Sequence, residues 1–141
     1  MNSSSCIFCE LLTSSASPYF IKKFSCGSLY LNFNKTYDGR VLYIYHNCVP
    51  DITGINEKDI PSVHKDLYNI SKAIKLIFPE VKYIDIAALG CVVPHLHWHI
   101  IPRRETDANW GSPPWPHVKT AYTKAEAEKT VALFRESLGS R

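Results

Sequence analysis

Residues 95–103 read His-Leu-His-Trp-His-Ile-Ile-Pro-Arg, with imidazoles at every second position over the first five. A period of two belongs to an extended strand, where successive side chains point to opposite faces and alternate ones share a face, roughly 6.6–6.8 Å apart. His95, His97 and His99 therefore point one way, and Leu96, Trp98 and Ile100 the other. One face of such a strand is fit for burial in a core. The other presents a row of imidazoles, and any fold adopted by this chain must accommodate both.

The remaining segments supply what that strand needs as neighbours. Residues 28–33 carry Leu29, Tyr30, Leu31 and Phe33, and residues 40–45 read Arg-Val-Leu-Tyr-Ile-Tyr. Both have the β-branched and aromatic content of strands. Between them lies a turn over residues 34–39, signalled by Asp38-Gly39. A third strand is expected over residues 82–89, ended by Gly90. A long helix is expected from Asn56, a fit N-cap, with Pro61 tolerated only near its start and Pro79 stopping it. Ile60, Leu67, Ile70, Ile74 and Ile77 recur at helical spacing within it. Thr123 can cap a C-terminal helix ending near Gly139, with Ala127, Val131, Phe134 and Leu138 as its buried stripe. Paired strands with one long intervening helix imply an α+β fold on an antiparallel sheet.

At 141 residues the chain makes one domain, with 45% apolar and 12% aromatic residues sufficient for a single core. We divide it into an N-terminal Cys-x-x-Cys segment (1–27), a core (28–104), and an aromatic loop with the C-terminal helix (105–141). The net charge of +3 suits an anionic small molecule and is too weak to imply a polymeric nucleic acid. No run of 18 apolar residues suggests a membrane span, and residues 1–5 lack the basic and apolar regions of a signal peptide. A cytoplasmic location is the expectation. Five cysteines, an odd number, are then expected to be reduced.

A row of imidazoles has three uses. It can be a merely polar or chelating strand. It can supply a neutral nucleophile beside a proton donor or phosphate ligand. It can also hold a metal through three His, as in a metallohydrolase. The run Gly90-Cys91-Val92-Val93-Pro94-His95-Leu96-His97-Trp98-His99-Ile100-Ile101-Pro102-Arg103 resembles the signature of the histidine triad superfamily of nucleotide hydrolases and transferases. The likeness is to a bacterial branch and runs from Cys6 to about Trp115. It implies an antiparallel sheet of about five strands with one long helix and a C-terminal helix.

The resemblance also implies roles. His97 would attack an α-phosphate and form a covalent nucleotidyl-imidazole that water hydrolyses, with its other ring nitrogen held by a backbone carbonyl. His99 would bind phosphate oxygens or assist the leaving group. Asn32 falls where relatives often place an Asp for the ribose hydroxyls, and Asn can both accept and donate there. Arg103, after the triad, would reach phosphate or be an exposed structural arginine. The expected ligand is a purine nucleotide or nucleotide conjugate: a nucleoside phosphoramidate, an adenylylated compound or a dinucleoside polyphosphate. A homodimer is also implied. Many relatives carry Gln and then Ser or Thr shortly before the triad, whereas residues 91–94 here are Cys-Val-Val-Pro. That departure keeps open a second reading, a nucleotide-binding module with little turnover.

Cys6-x-x-Cys9 in a reducing compartment suggests a metal rather than a disulfide. Some relatives with this motif hold a structural zinc. The site implied here is Cys6, Cys9, Cys48 and His95, with His46 as a rival third ligand. Cys26 and Cys91 have no assigned role, and His64 and His117 read as surface residues. Residues 109–116 place two Trp among prolines. That segment is either a loop packed over the domain, an aromatic wall for a base, with Trp110 the candidate, or a dimer contact. Arg104 and Asp107 stand close enough in sequence to shape the mouth of a pocket.

Overall fold

The triad segment forms a strand, but one that starts two residues later than its alternation suggests: β5 spans His97–Arg103. His95 and Leu96 lead into it as an irregular segment. In the computed structural model, which describes residues 6–14, 16–115 and 118–139, the full element order is α1 (Ile7–Leu12), β1 (Phe20–Lys23), β2 (Gly27–Leu31), β3 (Val41–Tyr45), α2 (Ile60–Ile77), β4 (Tyr83–Ala87), β5 and α3 (Lys124–Leu138). Residue 117 lies outside the described residues.

The five strands make one antiparallel sheet in the order β1-β2-β3-β5-β4. The expected hairpin is present, with Leu29 opposite Tyr43 and Leu31 opposite Val41. β5 is inserted between β3 and β4, so Leu42 lies opposite His99, and Ile44 opposite His97. Two elements were not expected from the sequence. α1 is a six-residue helix, and β1 a four-residue edge strand with a register shift between Phe20 and Lys22.

Alternation along these strands sorts the faces. Leu29, Leu31, Val41, Tyr43, Trp98 and Ile100 pack against α2 and α3 in one core. α2 contributes Val63, Leu67, Ile70, Ala73 and Ile74 at helical spacing, and α3 contributes Ala127, Val131 and Phe134. The cap at Asn56 belongs to a short 3₁₀ turn at Glu57–Asp59 that runs into α2, where Pro61 sits in the first turn. Thr123 caps α3 in a complete capping box with Glu126. With both helices on one face, the opposite face is left for Asn32, Leu42, His97 and His99. Among the described residues, no helix is long and apolar enough to cross a membrane.

Candidate active site and metal centre

His97 is 5% exposed, and its orientation is fixed by one contact: Nδ1 donates to the backbone carbonyl of His95 at 2.6 Å. In a neutral imidazole the other nitrogen, Nε2, then carries the lone pair. Burial pushes the His97 pKa below the ordinary histidine value, against the hydrogen bond to that carbonyl. The ring is thus held neutral, with its basic nitrogen unprotonated.

His99 lies two residues along the same face, its ring centroid 5.1 Å from that of His97. Its Nδ1 accepts from Arg40 Nη2 at 2.9 Å, which puts the ring proton of the neutral form on Nε2. Arg40 is buried, and burial lowers its pKa to about 10, so the guanidinium is still cationic at neutral pH. It stacks over Trp115 at 4.9 Å, and the Trp115 ring stands edge-on to His99 at 5.1 Å. Asn32, Arg40, His97, His99, Trp115 and Phe8 together line a cavity of about 500 Å³. Asn32 Oδ1 accepts from the Asn34 backbone N–H at 2.9 Å, which leaves its amide hydrogens as donors to a ligand.

The cysteine segment meets the triad at His95. Cys6, Cys9, Cys48 and His95 place their donor atoms within 4.8 Å of one another, a group that could hold a metal ion. His95 is fully buried; its Nε2 donates to the Tyr45 carbonyl at 2.7 Å. Its Nδ1 therefore faces Cys6 Sγ at 3.4 Å and Cys9 Sγ at 3.5 Å as a lone pair. A backbone acceptor fixing the distal nitrogen is the usual way a ligating imidazole is oriented. The thiols fit a cation as well. Burial and the neighbouring sulfurs push Cys9 up to about 12; burial also opposes ionisation of Cys6, but hydrogen bonds with Cys9, His95 and the Phe8 backbone together outweigh it and lower Cys6 to about 7. Without a positive charge the cluster resists a second thiolate. His46, the rival ligand, instead bonds Ser28 Oγ at 3.0 Å.

The geometry corrects several expectations. The three triad rings do not converge on one point: His95 turns to the thiols, His97 to a carbonyl and His99 to Arg40. A three-His metal set is therefore not formed. Arg103 neither reaches the cleft nor lies exposed. It is fully buried, paired with Asp85 at 2.8 Å and Asp107 at 3.0 Å, and donates to the carbonyls of Ser112 and Asn109. Its position at the far end of β5 makes it the anchor of the following loop. Trp110 is 41% exposed and packs near Tyr83 with ring centroids 5.5 Å apart; the cleft wall is Trp115. Arg104 pairs with Glu80 and lies over Phe78, away from the cavity lining. His64 is exposed as expected.

Three contributors escaped sequence reasoning. Arg40 had no local signal, since only strand pairing brings the start of β3 beside His99. Trp115 was inside the aromatic tail but indistinguishable from Trp110. Phe8 was visible as one of the two residues enclosed by Cys6-x-x-Cys9, and its ring stands edge-on to His97 at 4.8 Å.

Comparison with known proteins agrees with this arrangement. A family model described as HIT domain matches residues 25–106, more than half of the chain. A HIT-like protein of Mycoplasma genitalium is 29% identical over 112 residues, covering 77% of this chain and 79% of that one. A histidine triad protein from Bradyrhizobium japonicum superposes with a TM-score of 0.79 at 25% identity, over 85% of this chain and 90% of its own. A zinc-bound histidine triad family protein from Mycobacterium smegmatis gives a TM-score of 0.76 at 20% identity, over 97% and 95%.

Proposed function

The chain belongs to the HIT domain family, and from that premise we propose that it is a nucleotide hydrolase acting at the α-phosphate of a nucleoside phosphoramidate, adenylylated compound or dinucleoside polyphosphate. The observation that carries this reading is the pinned ring of His97, whose Nδ1 donates to the His95 carbonyl. A neutral imidazole with one nitrogen committed as donor offers the other as nucleophile. Nε2 attacks phosphorus and displaces the leaving group. Water then cleaves the nucleotidyl-imidazole and releases a nucleoside monophosphate. His99 and Arg40 stand beside the reacting centre as donors to the phosphoryl oxygens, where charge accumulates. Asn32 holds the ribose through its amide, and Phe8 and Trp115 provide apolar surface for a purine ring.

We assign zinc to the Cys6, Cys9, Cys48 and His95 set. Three thiolates and one imidazole fill a tetrahedral shell, so the ion would be structural, tying the N-terminal segment to the triad. The M. smegmatis relative named above is described as zinc-bound, which supports the choice of metal. A homodimer belongs to the same reading. β4 is an open sheet edge, and Tyr83 and Ile86 on it are exposed; light scattering at micromolar concentration is the check.

Intact-protein mass spectrometry after rapid, acid-free quenching with adenosine 5′-phosphoramidate tests the mechanism. The wild type is expected to gain a nucleotide-sized adduct and His97→Ala to gain none. Turnover retained in His97→Ala removes the proposed nucleophile. Tight nucleotide binding with neither adduct nor product makes the chain a binding module.

A further inference from the structure

The cleft wall at Asn32 carries no negative charge. Asn32 stands just past β2, and its Oδ1 is already taken by the Asn34 N–H, so what it turns toward a ligand is an amide donor. Asn34 shares that wall. Its own Oδ1 accepts from the N–H of Thr36 at 3.2 Å and from that of Thr120 at 2.8 Å. Among the described residues, no aspartate or glutamate lines the cavity.

A cation stands there instead. The Thr120 contact belongs to a short segment laid along the turn between β2 and β3. Thr36 Oγ1 donates to the Val118 carbonyl, the Lys35 N–H donates to the Thr120 carbonyl at 2.6 Å, and Asn34 bridges to Ala121. Lys119 sits between these ties with its backbone held on both sides, and it lines the cavity together with Asn32 and Asn34. Lys35, on the turn itself, is paired with Glu126 at 2.8 Å. Lys119 has no such ion pair among the described residues. Arg40, the other cation of the lining, is directed to His99. The cavity thus has two positive poles, one beside the triad rings and one at the Asn32 wall.

We propose that the site selects nucleotides whose ribose carries a second phosphate, as a 2′- or 3′-monoester, over nucleotides with a free diol. The inference rests on the reading above, with the ribose at Asn32 and the 5′-phosphorus at His97, and adds the state of the sugar to it. In dinucleotide-binding folds a carboxylate marks a site for the free ribose hydroxyls, and a nearby cation a site for the ribose phosphate. The reason is electrostatic. A phosphate monoester carries about −1.5 to −2 charges at pH 7, which a carboxylate repels and an ammonium group bonds. Asn32 offers N–H donors without that repulsion. Lys119 brings a compact charge on a flexible stem to the same wall.

Calorimetric titration of the full chain with four ligands decides the matter: adenosine 5′-monophosphate, adenosine 5′-diphosphate, adenosine 2′,5′-bisphosphate and adenosine 3′,5′-bisphosphate. The diphosphate adds its charge at the 5′ end only and so reads the effect of extra charge by itself. One of the two bisphosphates is expected to bind about tenfold tighter than both 5′-nucleotides at low ionic strength, with the margin shrinking in salt. The isomer that binds tighter identifies the hydroxyl. Lys119→Gln is expected to bring the affinity ratio of that bisphosphate to the monophosphate close to one. Asn32→Asp, which keeps an acceptor for the Asn34 N–H, is expected to bring it below one. Bisphosphates that bind no tighter than the diphosphate, or a preference that survives Lys119→Gln, overturn the proposal. Either result alongside a nucleotidyl adduct on His97 leaves the hydrolase reading intact. No affinity for any of the four, with no adduct, removes both.

Discussion

The ring of Phe8 stands edge-on to that of His97, with centroids 4.8 Å apart. Phe8 lies inside the Cys6-x-x-Cys9 turn, and the cap of that turn is Cys6 itself, whose sulfur accepts from the Cys9 N–H at 3.4 Å. The residues that gather the candidate metal donors therefore also set one wall of the cleft beside His97. No residue of α1 is fully buried; it is held by the Cys6 and Cys9 contacts with His95, the Phe8 ring against His95 and His97, and the Tyr30 hydroxyl donating to the Leu11 carbonyl at 3.2 Å.

Cys9→Ser is accordingly expected to lower zinc per chain, measured by elemental mass spectrometry, and to reduce Tm by roughly 5–10 °C, because metal binding contributes directly to folding. Chelation of the wild type should reproduce the Tm change. Equal metal content in the two proteins defeats the assignment.

Arg103→Met is expected to cost roughly 3–5 kcal/mol in urea unfolding, because it leaves the nearly buried Asp107 carboxylate without its cationic partner, holding only the Arg104 N–H. If Arg103 instead served phosphate, stability would hold and KM would rise. The two outcomes separate a loop anchor from a ligand contact.

Asn32→Ala is expected to weaken ribonucleotide binding by about 1 kcal/mol more than deoxyribonucleotide binding, the scale of one hydrogen bond to a hydroxyl. Calorimetric titration with the two monophosphates reads the difference. An equal loss for both would make Asn32 a structural residue that serves only the turn through Asn34.

Glu126 accepts from Lys35 Nζ at 2.8 Å and from the Thr123 N–H at 2.9 Å, and the Lys35 bond leads in holding its pKa down at about 2. A carboxylate with a lower pKa folded than unfolded stabilises the fold above its unfolded value, near 4.5, and that contribution fades as pH falls toward 2. The Tm gap between wild type and Glu126→Gln should therefore be constant from pH 7 to 5, narrow below pH 4.5 and close near pH 2. The group is exposed, so the gap will be small and will shrink in salt. A gap independent of pH would rule out the ionic contribution.

Periodicity made much of this molecule legible. The hairpin of β2 and β3, the long α2 and the capped α3 each bury a stripe of regular spacing, and that is the signal residue patterns carry. α1 and β1 were missed for the converse reason. α1 has no fully buried residue, and β1 buries only Ile21 among its four. Their order comes from distant partners: the thiols meeting His95, and β2 pairing. The same limit applied at the site. The grouping of Cys6, Cys9, Cys48 and His95, which could hold a metal, was legible from local motifs and resemblance. Arg40 and Trp115 were not, since their places depend on how three strands and a loop converge. Arg103 misled because residue type and nearness to the triad say nothing about which end of β5 faces the cleft.

His95 serves two neighbours through chemically independent parts. Its imidazole joins the cysteines, while its carbonyl holds His97. Every amino acid has that carbonyl. A lineage could therefore lose the thiols and replace His95 without surrendering the tautomer of the His97 ring, provided the path of the chain survived. On the proposed roles, metal binding and nucleophilic attack are thus separable traits at one position, open to inheritance apart.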